Sequence, residues 1–365
     1  MRIATYVKNG QFGSFAELID SSNDVNHLSF VESNMPLAVD IYYYINVIDD
    51  SMRIRASDGV YYLRPNSLIY GILKDVLIDR QLQKLYVTQD NKVMRVDYTT
   101  GRITASREFP LGIGFCSLGS FNGTGEMYVP ADDGWLEILD AVTLQLKDRI
   151  YVGGYAIGSV VAVNGKLFIA SSDMSQGAYS NCIKVYDRAT KSLEGRTGYW
   201  DRTRLIPLEG TAVEMIDLTI NLIPIDLSYY QFSPTGTPLS KKQDPYHGDY
   251  SMDANIVRSF PDGSKFITSA SGTIFHKSLV FDRYVKQYGN YSDFAFNSDG
   301  SVIYAAVGPQ KKIDVISYPS TTTISSYPTN FEPYKIFRDG DTLICLGKTY
   351  SNQQNTYFFI EKITL

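Results

Sequence analysis

The feature that most constrains this chain is a turn-and-strand phrase that returns about every 40 residues. It reads Asn-Gly-Thr-Gly-Glu-Met-Tyr-Val around Gly125, Asn-Gly-Lys-Leu-Phe-Ile at Gly165 and Asp-Gly-Ser-Lys-Phe-Ile at Gly263. It reads Asp-Gly-Ser-Val-Ile-Tyr at Gly300 and Asp-Gly-Asp-Thr-Leu-Ile at Gly340. The intervals are 40, 98, 37 and 40 residues, and the second is close to two periods. Asn-Gly and Asp-Gly before an apolar run mark a hairpin, because both residues tolerate positive φ. A second phrase follows within the unit: an apolar run ending in Asp, two further residues, then Thr. It stands at Asp97 to Thr100, Asp140 to Thr143 and Asp187 to Thr190, with a weaker copy at Leu279-Val-Phe-Asp282. An Asp that opens a tight turn accepts hydrogen bonds from backbone N–H groups two residues on, so the residue type has a structural cause.

Four short antiparallel strands per period describe the blade of a β-propeller. One small sheet cannot bury both faces, whereas blades stacked round an axis bury each other. Composition agrees: 28 Tyr against 2 Trp favours pleated, half-buried surfaces. No long stretch has the i, i+3, i+4, i+7 period of a helix. The fold class read here is all-β, a propeller of seven blades with eight as the alternative. Residues 73–365 form the propeller, and residues 1–72 are an N-terminal β segment, either an extra blade or a small β module. The last unit lacks an outer strand, and Arg2 to Lys8 is expected to close the ring.

Lys84-Leu-Tyr-Val-Thr88 through Asp97-Tyr-Thr-Thr-Gly101 resembles the YVTN-type repeat of surface-layer-like β-propellers. The likeness weakens near residues 127–146 and 167–193 and covers about half of the chain. That motif is one of packing and turns, so it implies a fold and carries no catalytic residues. It also implies an extracellular or cell-surface location, although no signal peptide opens this sequence.

A net charge of −5 with no Lys/Arg run longer than two argues against nucleic acid as a partner. No apolar stretch is long enough for a transmembrane helix. Cys116, Cys182 and Cys345 are far apart and read as buried core residues rather than a disulfide or zinc framework.

Candidate sites gather on the propeller face that carries the inter-blade loops and the loops between second and third strands. Tyr199, Trp200, Asp201 and Arg202 lie in one such connection, and Asp244, Tyr246, His247 and Asp249 in another. Tyr199, Trp200, Asp201, Arg202, Tyr246, His247 and Trp135 are the candidate ligand-binding residues. Asp244, Asp249, Asp132 and Asp133 are candidate metal ligands, with Ca²⁺ as the ion, although the alternating oxygen pattern of a calcium loop is absent. Further loops on this face are Ser171 to Asn181, Ser271 to Lys277 with His276, and Gly347 to Thr356. No dinucleotide, P-loop or GxSxG motif is present. The reading is a non-enzymatic binding or scaffold propeller that engages a protein or carbohydrate. The alternative is a propeller hydrolase, lactonase or lyase with a divalent cation at the central channel.

Overall fold

The computed structural model describes residues 3–10, 17–22, 41–48, 54–56, 60–62, 69–153, 156–172, 181–210, 213–220, 222–350 and 356–365. They fall into two compact units, Met1–Gly71 with Thr349–Phe359, and Ile72–Lys348 with Ile360–Leu365. In the first unit, Ile3–Gly10 pairs antiparallel with Glu17–Ser22 on one side and Ile41–Ile48 on the other. Ile54–Ala56 and Val60–Tyr62 pair with the outer side of Ile41–Ile48, which completes a five-stranded sheet.

Seven four-stranded antiparallel blades follow. Their first, innermost strands are Asp75–Asp79, Ser117–Phe121, Ala156–Val163, Thr203–Pro207, Val257–Ser259, Asp293–Phe296 and Glu332–Asp339. Only one short 3-10 turn, Gly308–Gln310, interrupts the strands of the described propeller. No helix among the described residues is long and apolar enough to cross a membrane.

The strand that completes blade 7 is Ile69–Tyr70, paired with Tyr357 and Phe358, and not Arg2 to Lys8. The reason is local. Ile69–Tyr70 lies a few residues ahead of the first strand of blade 1 and needs almost no tether, while Ile3–Gly10 has both edges occupied in its own sheet. Side-chain contacts seal the seam between blades 7 and 1. Tyr98 donates to Asp339 Oδ2 at 2.7 Å, and Arg80 Nε donates to the Arg338 carbonyl at 2.8 Å.

The repeat phrases take the positions that the turn chemistry predicts. The Asn-Gly or Asp-Gly pair of each repeat phrase joins the first and second strands of a blade, in blades 2, 3, 5, 6 and 7. At Asn164-Gly165 both residues have positive φ, 51° and 72°, as a two-residue hairpin requires. Asp97, Asp140 and Asp187 each end a third strand, and one carboxylate oxygen caps the turn that follows. Asp140 Oδ1 accepts from Val142 N at 3.0 Å, Thr143 N at 2.8 Å and Thr143 Oγ1 at 2.9 Å. Lys166 and the Thr190 hydrogen bonds outweigh burial and hold the Asp187 carboxyl at about 2, so that cap stays ionised near neutral pH. Asp282 departs from the expectation: it lies in the fourth strand of blade 5, because the third strand, Thr273–His276, ends earlier.

Asp140→Ala removes three hydrogen bonds to one charged oxygen. It is expected to cost about 1–3 kcal/mol, seen as a lower denaturant midpoint at unchanged slope. A midpoint equal to that of the parent protein would mean the turn holds without its cap.

The core is divided among the seams. Among the described residues, six apolar clusters each lie between two successive blades, such as Tyr86, Val93 and Phe109 of blade 1 against Met127, Val129 and Leu139 of blade 2. Fully burying a side chain of this kind contributes about 1.5–3 kcal/mol. The three cysteines are buried, as expected, and Cys116 and Cys345 belong to these layers.

Candidate functional site

Each first strand begins at one end of the channel, here called the upper face, and runs to the other. The inter-blade loops and the second-to-third-strand loops share that upper face, because successive strands alternate in direction. The candidate residues of both loop sets do lie there, and most are committed to structure.

In the connection from blade 3 to blade 4, Tyr199 N donates to the Tyr230 hydroxyl at 3.2 Å. The Tyr199 ring is covered by the Lys241 ammonium at 4.3 Å. Trp200 and Asp201 are half-buried and Arg202 is exposed. In the connection from blade 4 to blade 5, Tyr246 packs edge-on against Tyr250 at 4.8 Å and joins the cluster between those blades. Both oxygens of Asp244 are taken by backbone, from Tyr246 N at 3.0 Å and Leu227 N at 3.1 Å. Burial and the neighbouring Asp226 push the Asp244 carboxyl up, against those hydrogen bonds. Asp249 is exposed and its N–H closes a turn on Tyr246 O.

In blade 2, Asp133 Oδ1 caps its own turn through Trp135 N at 3.2 Å. The Trp135 ring lies 5.0 Å from the Tyr151 ring and 4.4 Å from the Arg149 guanidinium carbon. Asp132 is exposed and, with Arg202, Lys74 and Phe115, lines a pocket of about 230 Å³ on the upper face. Asp132 and Arg202 are the candidate residues from different loops that the fold brings to one pocket. The four candidate metal ligands are spread over blade 2 and the loop after blade 4, and no three His, Cys, Asp or Glu among the described residues converge. His276 closes the third strand of blade 5 at the lower end rather than standing in an upper loop. His27, residues 173–180 and residues 351–355 lie outside the described residues.

One pair was not legible in the sequence. His247 Nδ1 lies 3.1 Å from Asp226 Oδ1, with the imidazole 73% exposed and the carboxylate 7% exposed.

A larger cavity lies elsewhere. The seven first strands enclose a channel of about 800 Å³, whose walls also include first-to-second-strand loops of the lower face, at Glu209, Pro261 and Asn297. Phe115 lines both this channel and the upper pocket. Gly114 makes its position possible. A Cβ there would stand 2.3 Å from the Ile157 carbonyl, and the close approach lets Phe115 N donate to Gly158 O at 2.9 Å. Over the Phe115 ring lies the Arg204 guanidinium, 4.2 Å away, in range for a cation–π contact.

Arg204 donates to Asp75 Oδ2 and to the Ala254 carbonyl, both at 2.7 Å. Arg258 donates to Asp293 Oδ2 at 2.6 Å, and Lys335 donates to the Asn255 carbonyl at 2.7 Å. Asp75, Arg204, Asp293 and Lys335 are all buried. Burial pushes the Lys335 ammonium down, with Asp293 pulling it the other way. Asp293 raises the Arg258 guanidinium further against the effect of burial. Buried charges of this kind persist only when paired. The signal for this layer was present: Asp75, Arg204, Arg258, Asp293 and Lys335 each stand within the first four residues of the first strand of blades 1, 4, 5, 6 and 7. Residues of alternating type on strands with no shared motif do not announce that they converge.

No family model matches the chain, and no curated protein matches it. Among solved structures 1370 chains are similar, too many for the likeness to select a function. One is hydrazine synthase of Kuenenia stuttgartiensis, with a TM-score of 0.53 and 14% identity over 80% of this chain and 94% of that one. At that identity the likeness shows the propeller fold.

Proposed function

We propose that the chain is a non-enzymatic binding propeller whose upper face docks a protein partner. The observation that supports this is the placement of exposed apolar side chains. Ile223 at 96%, Tyr288 at 89% and Ile72 at 77% are the three most exposed large apolar residues among those described. All three stand in upper-face loops: before blade 1, between the second and third strands of blade 4, and between blades 5 and 6. Leu111 and Leu222 of the same face are also exposed. Large apolar groups among charged neighbours such as Arg202 and Asp132 suit a protein interface with an apolar centre and a polar rim. A carbohydrate is the weaker partner, since Tyr246 is packed and Tyr199 and Trp135 are capped by Lys241 and Arg149. The YVTN-type likeness supports a place at the cell surface.

The test is cross-linking of the whole protein in its native extract, compared with a variant carrying Ile72→Ser, Ile223→Ser and Tyr288→Ser. The expected result is loss of the cross-linked partners from upper-face loops at unchanged thermal stability. The same partners captured by both proteins would overturn the reading. An enzyme is the second reading, and the Asp226–His247 pair favours it, since a carboxylate that orients an exposed imidazole suits a general base. A substrate turned over by the protein and lost with His247→Ala would replace the binding reading.

A further inference from the structure

The overall charge of the chain is negative, yet its channel is not. Four guanidinium groups line it, from Arg80, Arg204, Arg258 and Arg338, against the carboxylates of Asp75 and Glu209. At the upper end Arg204 and Arg258 have buried carboxylate partners. At the lower end the balance is different. Arg80 has no ion-pair partner among the described residues, and Arg338 reaches only Asp341, 3.8 Å away and 92% exposed. Such an exposed, distant pair contributes little. The two other carboxylates of this seam are engaged: Asp79 caps Leu82 N at 2.9 Å, and Asp339 accepts from Tyr98 at 2.7 Å.

Two arginines on adjacent blades therefore line the lower mouth, neither of them in an ion pair closer than 3.8 Å among the described residues. Arg80 Nε is spent on the Arg338 carbonyl, which fixes one guanidinium against the neighbouring blade. Arg338 Nε is buried with no hydrogen-bond partner among the described residues. Above them the wall includes the half-buried ring of Phe296. A volume of about 800 Å³ is within the range of small-molecule sites, about 300–1,000 Å³.

We infer that the channel binds a small organic anion from its lower mouth. Arg80 and Arg338 receive a phosphate or carboxylate head, and an apolar body lies against Phe296. Arginine suits that role because its planar fork matches both oxyanions. This site is separate from the upper-face docking surface and does not depend on it.

The test uses the whole chain with two probes, inorganic phosphate and phenyl phosphate, titrated calorimetrically at low salt. Phenyl phosphate is expected to bind more tightly than phosphate, by about tenfold for a buried ring. Arg80→Gln and Arg338→Gln are each expected to weaken both probes about tenfold or more. Arg102→Gln, on the outer strand of blade 1, is expected to leave binding unchanged. Circular dichroism of each variant confirms the fold, and the pair of single variants guards against one that fails to fold. No heat with either probe at millimolar concentration would overturn the inference. So would affinities that survive both channel substitutions, or fall equally with Arg102→Gln.

Discussion

Glu126→Gln is expected to destabilise the protein by about 3–5 kcal/mol, the cost of leaving a buried charge without its partner. Glu126 lies in the second strand of blade 2, wholly buried, and its carboxylate meets a two-pronged guanidinium from blade 3. Arg188 Nε donates to Oε2 at 2.8 Å and Nη2 to Oε1 at 3.0 Å. Tyr128 donates to the same carboxylate at 2.8 Å, and Lys147 lies 3.0 Å away. Arg188 is itself held over the Phe121 ring at 4.5 Å and against Asp148 at 3.3 Å. Burial raises the Glu126 carboxyl, but Arg188, Lys147 and Tyr128 together bring it below its ordinary range.

An amide of the same size turns two donors toward Arg188 and cannot neutralise it. The measurement is chemical unfolding at neutral pH. The double variant Glu126→Leu with Arg188→Leu is expected to recover most of the loss, since it removes both buried charges together. A single variant within about 1 kcal/mol of the parent would mean that water reaches this seam and screens the pair.

Asp217 is expected to make the protein less stable as pH rises from about 4 to 7, and Asp217→Asn is expected to abolish that slope. The residue is fully buried on the second strand of blade 4, facing blade 3. Tyr230 donates to its Oδ2 at 3.1 Å, while Oδ1 has no hydrogen-bond partner among the described residues. Burial pushes its carboxyl up to about 7, against the pull of the Ser228, Tyr230 and Thr203 hydroxyls beside it. The folded form therefore holds a proton that the unfolded chain releases near pH 4.

The sign follows from that difference. Folding binds a proton between the two values, so stability is greatest below about pH 4 in this respect and falls until about pH 7. The full difference amounts to about 4 kcal/mol. The same Tyr230 hydroxyl receives Tyr199 N, so ionisation of Asp217 bears on the upper-face loop through one side chain. Unfolding free energies of the two proteins, measured across this range, should separate as pH rises from 4 toward 7, with the parent alone losing stability. Parallel curves would show that Asp217 is ionised throughout.

The sequence by itself determined the repeat, the blade and its turns. Asn164-Gly165 and Asp140-Ala-Val-Thr143 act through bonds within a few residues, so their meaning is written in a short window. Alternation of apolar residues likewise fixes which face of a strand is buried. Several things were settled only by tertiary structure. The strand closing the ring was decided by which edges were already occupied, and Tyr246 was taken into the core by aromatic neighbours of blade 5. The charged layer of the channel joins Arg204 to Asp75 across 129 positions, and Arg258 to Asp293 across 35. Such pairings follow from ring geometry, which sets side chains of separate blades face to face, and no local pattern encodes their convergence.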